Sequence, residues 1–287
     1  MKRQSRVLMA LTAICLAASP LPGSAASTDQ EADPLVFGLL PFASPGSLFK
    51  RFAPLRGYLE ERISRPVRLT TAPDFPTFVR RTERGRYAIL LTAPHFTLMA
   101  LDSGRYEVRA TYTQRLSAVI LGRSDDSRSG PGGSRCRKVA TPPRSAIITL
   151  MGKRFMGQRY PGTDLTYQTY ASHNAAVRAV LGGDACLAVA SVNVWNRMRS
   201  EEPDLARLTQ TGSIPALGIL FRKDLPSSLR HRITEAMVNM QDHPQGQQAL
   251  RKMAYPGYQR AEAADFEPVR TYLEQLPDGW LKGEGTP

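Results

Sequence analysis

Residues 35–71 read LVFGLLPFASPGSLFKRFAPLRGYLEERISRPVRLTT. Leu35-Val36-Phe37-Gly38-Leu39-Leu40 is a short apolar run closed by Pro41, the pattern of a buried strand. Ser44 is suited to cap a helix, and Pro45 to occupy its first position. Leu48, Phe52, Leu55, Leu59 and Ile63 then recur at three- and four-residue steps, one stripe of a helix. Pro54 lies inside that stripe and predicts a kink or a restart. Arg65-Pro66 ends it, and Val67-Arg68-Leu69-Thr70-Thr71 reads as a second strand. The unit is strand–helix–strand, with a polar turn at the first strand's C-terminal end. In open α/β sheets that end is where ligands sit.

The alternation continues outward. Asp74-Phe75-Pro76 opens a short helix, residues 87–91 form a buried strand, and Thr92-Ala93-Pro94-His95-Phe96 is a second strand-to-helix turn. This β-α-β-α-β-α order is the signature of a parallel sheet with helices on its faces. Residues 108–122 read as two strands. The Ser/Gly-rich stretch 124–134 has linker composition and marks a domain crossing. A second α/β unit follows: a strand at 137–141, a turn Pro142-Pro143-Arg144-Ser145, and a helix from Ala146 to Phe155. Next come a strand at 166–170, a helix capped by Ser172-His173-Asn174, and a strand at 186–190 that ends at Ser191-Val192-Asn193. Residues 205–211 and 216–221 read as strands returning to the first domain. The remainder reads as helical, closing with a terminal helix over 266–276.

The chain of 287 residues allows one large or two medium domains. Its first 26 residues read as a cleavable export signal: Lys2, Arg3 and Arg6 precede an apolar run from Val7 to Ala18 and a small-residue cleavage site near Ala25. Without that leader the formal charge falls from +13 to +10. Such a balance favours anionic partners, although an arginine-rich solvated surface accounts for it equally. The basic residues are spread out and form no nucleic-acid motif, so nucleic acid is not an expected partner. There is no Cys-x-x-Cys, and no histidine stands at ligand spacing to Cys136 or Cys186, so no metal is expected. Gly-x-Ser-x-Gly, His-Glu-x-x-His and Walker patterns are missing, so neither catalysis nor a cofactor is expected.

One ordered series of segments carries a resemblance. It comprises Phe52-Ala53-Pro54-Leu55 with Tyr58-Leu59-Glu60, Leu90-Leu91-Thr92-Ala93-Pro94, and Ser172-His173-Asn174-Ala175-Ala176-Val177 followed by Gly183-Asp184. From about residue 35 to about residue 260 the chain resembles the periplasmic phosphate/phosphite/phosphonate-binding proteins of ABC transporters (PhnD-like). The resemblance implies a type II periplasmic-binding (Venus-flytrap) fold: two α/β lobes, each a mostly parallel sheet flanked by helices, with the ligand between them. Residues 34–121 and 214–280 would form one lobe and residues 122–213 the other. It further implies a monomeric periplasmic protein that captures a small anionic ligand, a phosphonate-, phosphite- or phosphate-like oxyanion, for an ABC permease. A periplasmic sensor serving a membrane histidine kinase or another receptor is the alternative.

The resemblance also places an anion-binding turn at Thr141-Pro142-Pro143-Arg144-Ser145. Only Ser145 keeps a hydroxyl within its Pro-Pro-Arg-Ser core, two prolines remove N–H donors, and Arg144 offers a charged fork instead. Ser44, Thr92 and Ser145 each stand at a strand-to-helix turn; singly they are N-caps, jointly a shared anion site. His95 either points into the cleft or packs on its helix. His173 and Asn174 match a family position near the ligand, or cap their helix. Ser191 and Asn193 contact ligand or line the hinge. Phe42 and Phe96 wall the cleft or belong to the core. If the second lobe has strand order 2-1-3, the strands at Val139 and Leu187 are neighbours. Cys136 and Cys186 then lie within reach of a disulfide, with two free thiols as the alternative.

Overall fold

Strand β1 (Leu35–Leu39) and helix α1 (Pro45–Ile63) form where the apolar pattern puts them. The five stripe residues of α1 are at most 2 % exposed. Each such side chain contributes roughly 1.5–3 kcal/mol of burial. The helix runs unbroken through Pro54 and stops at Ser64, whose left-handed backbone (φ 50°) precedes Pro66 by two residues. Tyr58 donates from its hydroxyl to the Ala236 carbonyl at 2.9 Å, fixing α1 to a later helix. The computed structural model describes residues 33–124 and 137–282. The expected leader, residues 125–134 of the linker-like stretch, and Cys136 lie outside the described residues.

β2 (Val67–Thr70), α2 (Phe75–Glu83), β3 (Ile89–Thr92), α3 (Pro94–Asp102) and β4 (Tyr106–Tyr112) follow α1. Then come β5 (Ala118–Arg123), β6 (Lys138–Thr141), α4 (Ile147–Arg159), β7 (Thr166–Thr169), α5 (His173–Leu181), β8 (Leu187–Ser191), α6 (Val192–Met198) and β9 (Leu205–Gln210). β10 (Gly218–Arg222), α7 (Ser227–Val238), α8 (Pro244–Met253), β11 (Tyr258–Arg260) and α9 (Ala263–Phe266) complete the order. The strands make two sheets, β11-β4-β10-β3-β1-β2 and β7-β6-β8-β5-β9. In the first, β1 pairs parallel with β2 and β3, and β10 antiparallel with β3 and β4. In the second, β6 pairs parallel with β7 and β8, and β5 antiparallel with β8 and β9.

Three expectations need correction. Composition puts the crossing beside residues 124–134, with residues up to 121 in the first lobe. Yet β5 is hydrogen-bonded within the second sheet, so the chain crosses at residues 113–117. Residues 205–211 do not return to the first sheet: β9 stays paired with β5, and only β10 returns. The terminal helix is the short α9 followed by a 3-10 segment, Glu267–Gln275. Pro268 has no N–H to bond the carbonyl four residues back, which favours the tighter winding. The patterns also left out α6 and β11.

The return crossing runs beside the outward one. Leu116 and Ile214 exchange both backbone hydrogen bonds at 2.9 Å, and the Arg115 guanidinium bonds Ser213 through its hydroxyl at 3.0 Å and its carbonyl at 3.2 Å. A single apolar core extends from the first sheet through Ala118, Ile120, Val139 and Leu187 of the second, while Val119, Leu121, Val177 and Ala188 form a smaller cluster on the second sheet's other face. Gly38 in β1 is fixed by packing. A Cβ there would lie 2.5 Å from the Tyr87 ring, which stacks on Phe78 at 5.2 Å. Gly38→Ala is expected to cost about 1–3 kcal/mol of stability, read by thermal or denaturant unfolding. Unchanged unfolding would mean the ring yields freely.

Candidate functional site

Strand ends from both sheets open onto one place. β1, β3, β6 and β7 lead into the N-termini of α1, α3, α4 and α5, and all four helix starts line a cavity of about 580 Å³. Each of these helices has nine residues or more. The first amides of a helix have no acceptor within it, and aligned peptide dipoles add positive potential there. Ser44 accepts from the Ser47 amide at 3.4 Å, and Ser172 from the Ala175 amide at 3.1 Å. α3 and α4 begin at Ala93 and Ala146 with no side-chain cap. The amides of Ile147 and Ile148, both lining the cavity, are therefore left to an external acceptor.

His95 joins the two halves. Its Nε2 lies 2.9 Å from the Ser145 carbonyl, in the turn between β6 and α4. A carbonyl only accepts, so Nε2 carries the proton and Nδ1 the lone pair. The residue is fully buried, and Nδ1 has no partner among the described residues. Burial pushes its pKa down to about 3, partly opposed by the bond to Ser145. His173, at the start of α5, also has a buried, unpartnered Nδ1. Burial first, and the Arg197 charge second, lower its pKa to about 4. Both rings are neutral near pH 7.

The charged side chains on the cavity wall are Arg51, from α1, and Arg197, from α6; among the described residues no aspartate or glutamate lines it. Arg197 donates from Nη2 to the Asn174 side-chain oxygen at 2.9 Å, which aims the guanidinium across the start of α5. Arg51 has no ion-pair partner among the described residues and is exposed. Asn193 accepts from Gln114 Nε2 at 2.8 Å, so it ties the cavity rim to the crossing segment. Ser191 caps α6 by accepting from the Val194 amide at 3.4 Å.

The cavity brings together Ser44, His95, Phe96, His173, Asn174, Ser191 and Asn193, and Phe42 is also on its wall. Thr92, Thr141, Arg144 and Ser145 stand back from it. β3 runs one residue further than the turn pattern implied, so Thr92 ends the strand, buried, and Ala93 takes the cap position. Thr141 is fully buried, with its hydroxyl 3.4 Å from the Gln168 carbonyl. Arg144 is exposed. Ser145 contributes its carbonyl, to His95, and Ala146 takes the cap of α4. The α4 turn thus presents amides rather than hydroxyls to the cavity. Sequence patterns missed Arg51, Phe75, Arg197 and Tyr255. Arg197 was within reach, since it stands four residues after Asn193 on one helical face. Tyr255 arrives from beyond α8, and no local signal marks it.

Two sheets joined by paired crossings, with helix N-termini facing a cleft between them, define a type II periplasmic-binding fold. The family described as "ABC transporter, phosphonate, periplasmic substrate-binding protein" matches residues 37–266, and the chain belongs to it. Solved structures agree on the fold. The binding-protein component of an ABC phosphonate transporter from Pseudomonas aeruginosa superposes with a TM-score of 0.71 at 13% identity, over 84% of this chain and 85% of that one. PhnD1 from Prochlorococcus marinus, in complex with methylphosphonate, gives 0.73 at 12% identity, over 84% and 97%. A Xanthomonas citri protein bound to ATP gives 0.69 at 13% identity, over 88% and 99%.

Proposed function

We propose that this protein captures a phosphonate-type oxyanion in the cavity between its sheets and delivers it to an ABC permease. The observation that carries this reading is the wall of the cavity: four helix N-termini and two arginines, with no carboxylate among the described lining residues. Such a wall has the charge and the donors for an oxyanion, and nothing in it calls for bond-making. Residues 34–112 and 218–280 act as one lobe and the second sheet with its helices as the other, joined by the crossings at residues 113–117 and 211–217. Closure of the two sets the amides of Ile147 and Ile148, with Arg197, against Arg51 and the start of α1. Ser44, His173, Asn174, Ser191 and Asn193 complete the ligand shell, with Phe96 as an apolar wall, while His95, whose N–H is held by the Ser145 carbonyl, links the two halves beside it. Thr92, Thr141 and Ser145 support it from behind, and Arg144 adds positive charge from an exposed position.

The protein works as a monomer in the periplasm after loss of its first 26 residues. A bridge between Cys136 and Cys186 holds the second lobe at the end away from the ligand. The parallel pairing of β6 with β8 supports this, because it puts Cys186 one residue before the paired strand end. Thiol titration of the denatured chain is expected to find two cysteines only after reduction. Equal titration without reductant contradicts the bridge. A membrane sensor would use the same cleft, and reconstitution with the cognate permease separates the two roles.

A panel of phosphate, phosphite, methylphosphonate, sulfate and arsenate, read by thermal shift and calorimetry, tests the main reading. One-to-one binding with the highest affinity among the phosphorus oxyanions is expected, without turnover. No response to any anion contradicts it.

A further inference from the structure

Resting on the reading of the cleft as an anion site, we infer that its ligand carries an apolar, preferably aromatic, substituent and no ammonium group. Space is the first argument. At ~30 Å³ per molecule, the 580 Å³ cavity has room for roughly twenty waters. A tetrahedral head group fills only a small part of that.

The shape of the remaining wall is the second argument. Two banks of rings line it. Phe42 and Tyr255 form one, both half-buried, and Phe52 backs them: its ring lies 6.5 Å edge-on from Phe42 and 6.1 Å stacked from Tyr255. Tyr112 stacks on the same Tyr255 at 4.4 Å. Phe75 and Phe96 form the other bank, 5.7 Å apart edge-on, with Trp280 stacked behind Phe96 at 5.2 Å. Rings held from behind in this way lose little side-chain freedom when they cover a ligand. They offer faces and edges at the spacing of ring-to-ring packing.

Charge is the third argument. The cavity's charged groups are the guanidinium groups of Arg51 and Arg197, and its buried histidine nitrogens are in neutral rings. An ammonium group would meet two like charges and the positive ends of four helices, with no carboxylate among the described lining residues to receive it. The substituent that matches this wall is therefore uncharged.

Calorimetry on the full mature chain with four probes decides the matter: methyl-, ethyl-, phenyl- and 2-aminoethylphosphonate. Phenylphosphonate is expected to bind at least about 10-fold more tightly than methylphosphonate. The aminoethyl compound is expected to bind at least about 3-fold more weakly than its ethyl counterpart. Phe42→Ala, checked for folding by circular dichroism, should cut the phenyl-over-methyl advantage to under about 3-fold. Methylphosphonate binding as tightly as phenylphosphonate, or aminoethylphosphonate as tightly as ethylphosphonate, overturns the inference while leaving the anion site in place. Binding of none of the four overturns the anion reading itself.

Discussion

Arg197→Ala is expected to weaken phosphonate binding by about 10- to 100-fold, because a hydrogen bond to a charged group is worth about 1.5–3 kcal/mol. Arg197 is exposed, and its described hydrogen bond is with Asn174, so the ligand-free protein should unfold within about 0.5 kcal/mol of the parent. Arg197→Lys should recover only part of the loss. Lysine keeps the charge but not the planar fork that Asn174 orients. Calorimetry and denaturant unfolding, run side by side, separate a ligand contact from a structural role. Unchanged affinity in Arg197→Ala would remove this residue from the ligand shell.

The second large effect is on stability in mild acid. An unfolded His95 has a pKa near 6.5, and the folded one about 3. The folded value is depressed, so protonation favours the unfolded chain. The stabilising contribution is whole above pH 6.5 and is lost as pH falls through the window from 6.5 to 3. The loss is about 1.4 kcal/mol per pH unit inside that window. His173 acts in the same direction between 6.5 and about 4. The exposed carboxylates Glu235 and Glu267, held low by Arg260 and Arg270, respond only at more acidic pH. Between pH 5 and 6.5 the slope therefore belongs to the histidines. His95→Gln should shallow it by about one proton's worth, whatever it does to absolute stability. A parent protein whose unfolding midpoint is flat from pH 7 to 5 would contradict this. Because Nε2 reaches Ser145 across the cleft, the same variant also loosens the contact between the two halves.

The first βαβ unit was legible, apart from the unbroken course of α1 through Pro54, because its information is local. The α1 stripe, the Ser44 cap and Pro45 all act within one or two turns. The β6–β8 neighbourhood was legible for a topological reason: successive parallel strands around one central strand have few arrangements. The crossing was not. A Ser/Gly-rich stretch looks like a boundary, but the boundary is set by which strands β5 bonds, and those partners, β8 and β9, lie 60 or more residues further on. Thr92 and Ser145 show a finer limit. Each misses its cap by one residue, because a strand or turn runs one position longer than composition indicates, and that shift turns a hydroxyl away from the cavity. Serine and threonine are the anion ligands a sequence pattern can suggest. The cavity wall holds Ser44, Ser172 and Ser191 together with helix starts and two arginines, and backbone amides have no sequence signature.

The function of the cleft is decided by where an anion sits. A crystal structure of the protein grown with a saturating phosphonate is the direct measurement. It should show the phosphorus oxygens within hydrogen-bond distance of the Ile147 and Ile148 amides and the Arg197 guanidinium. Electron density for the anion elsewhere on the surface, or an empty cleft at a concentration that saturates calorimetric binding, would contradict it.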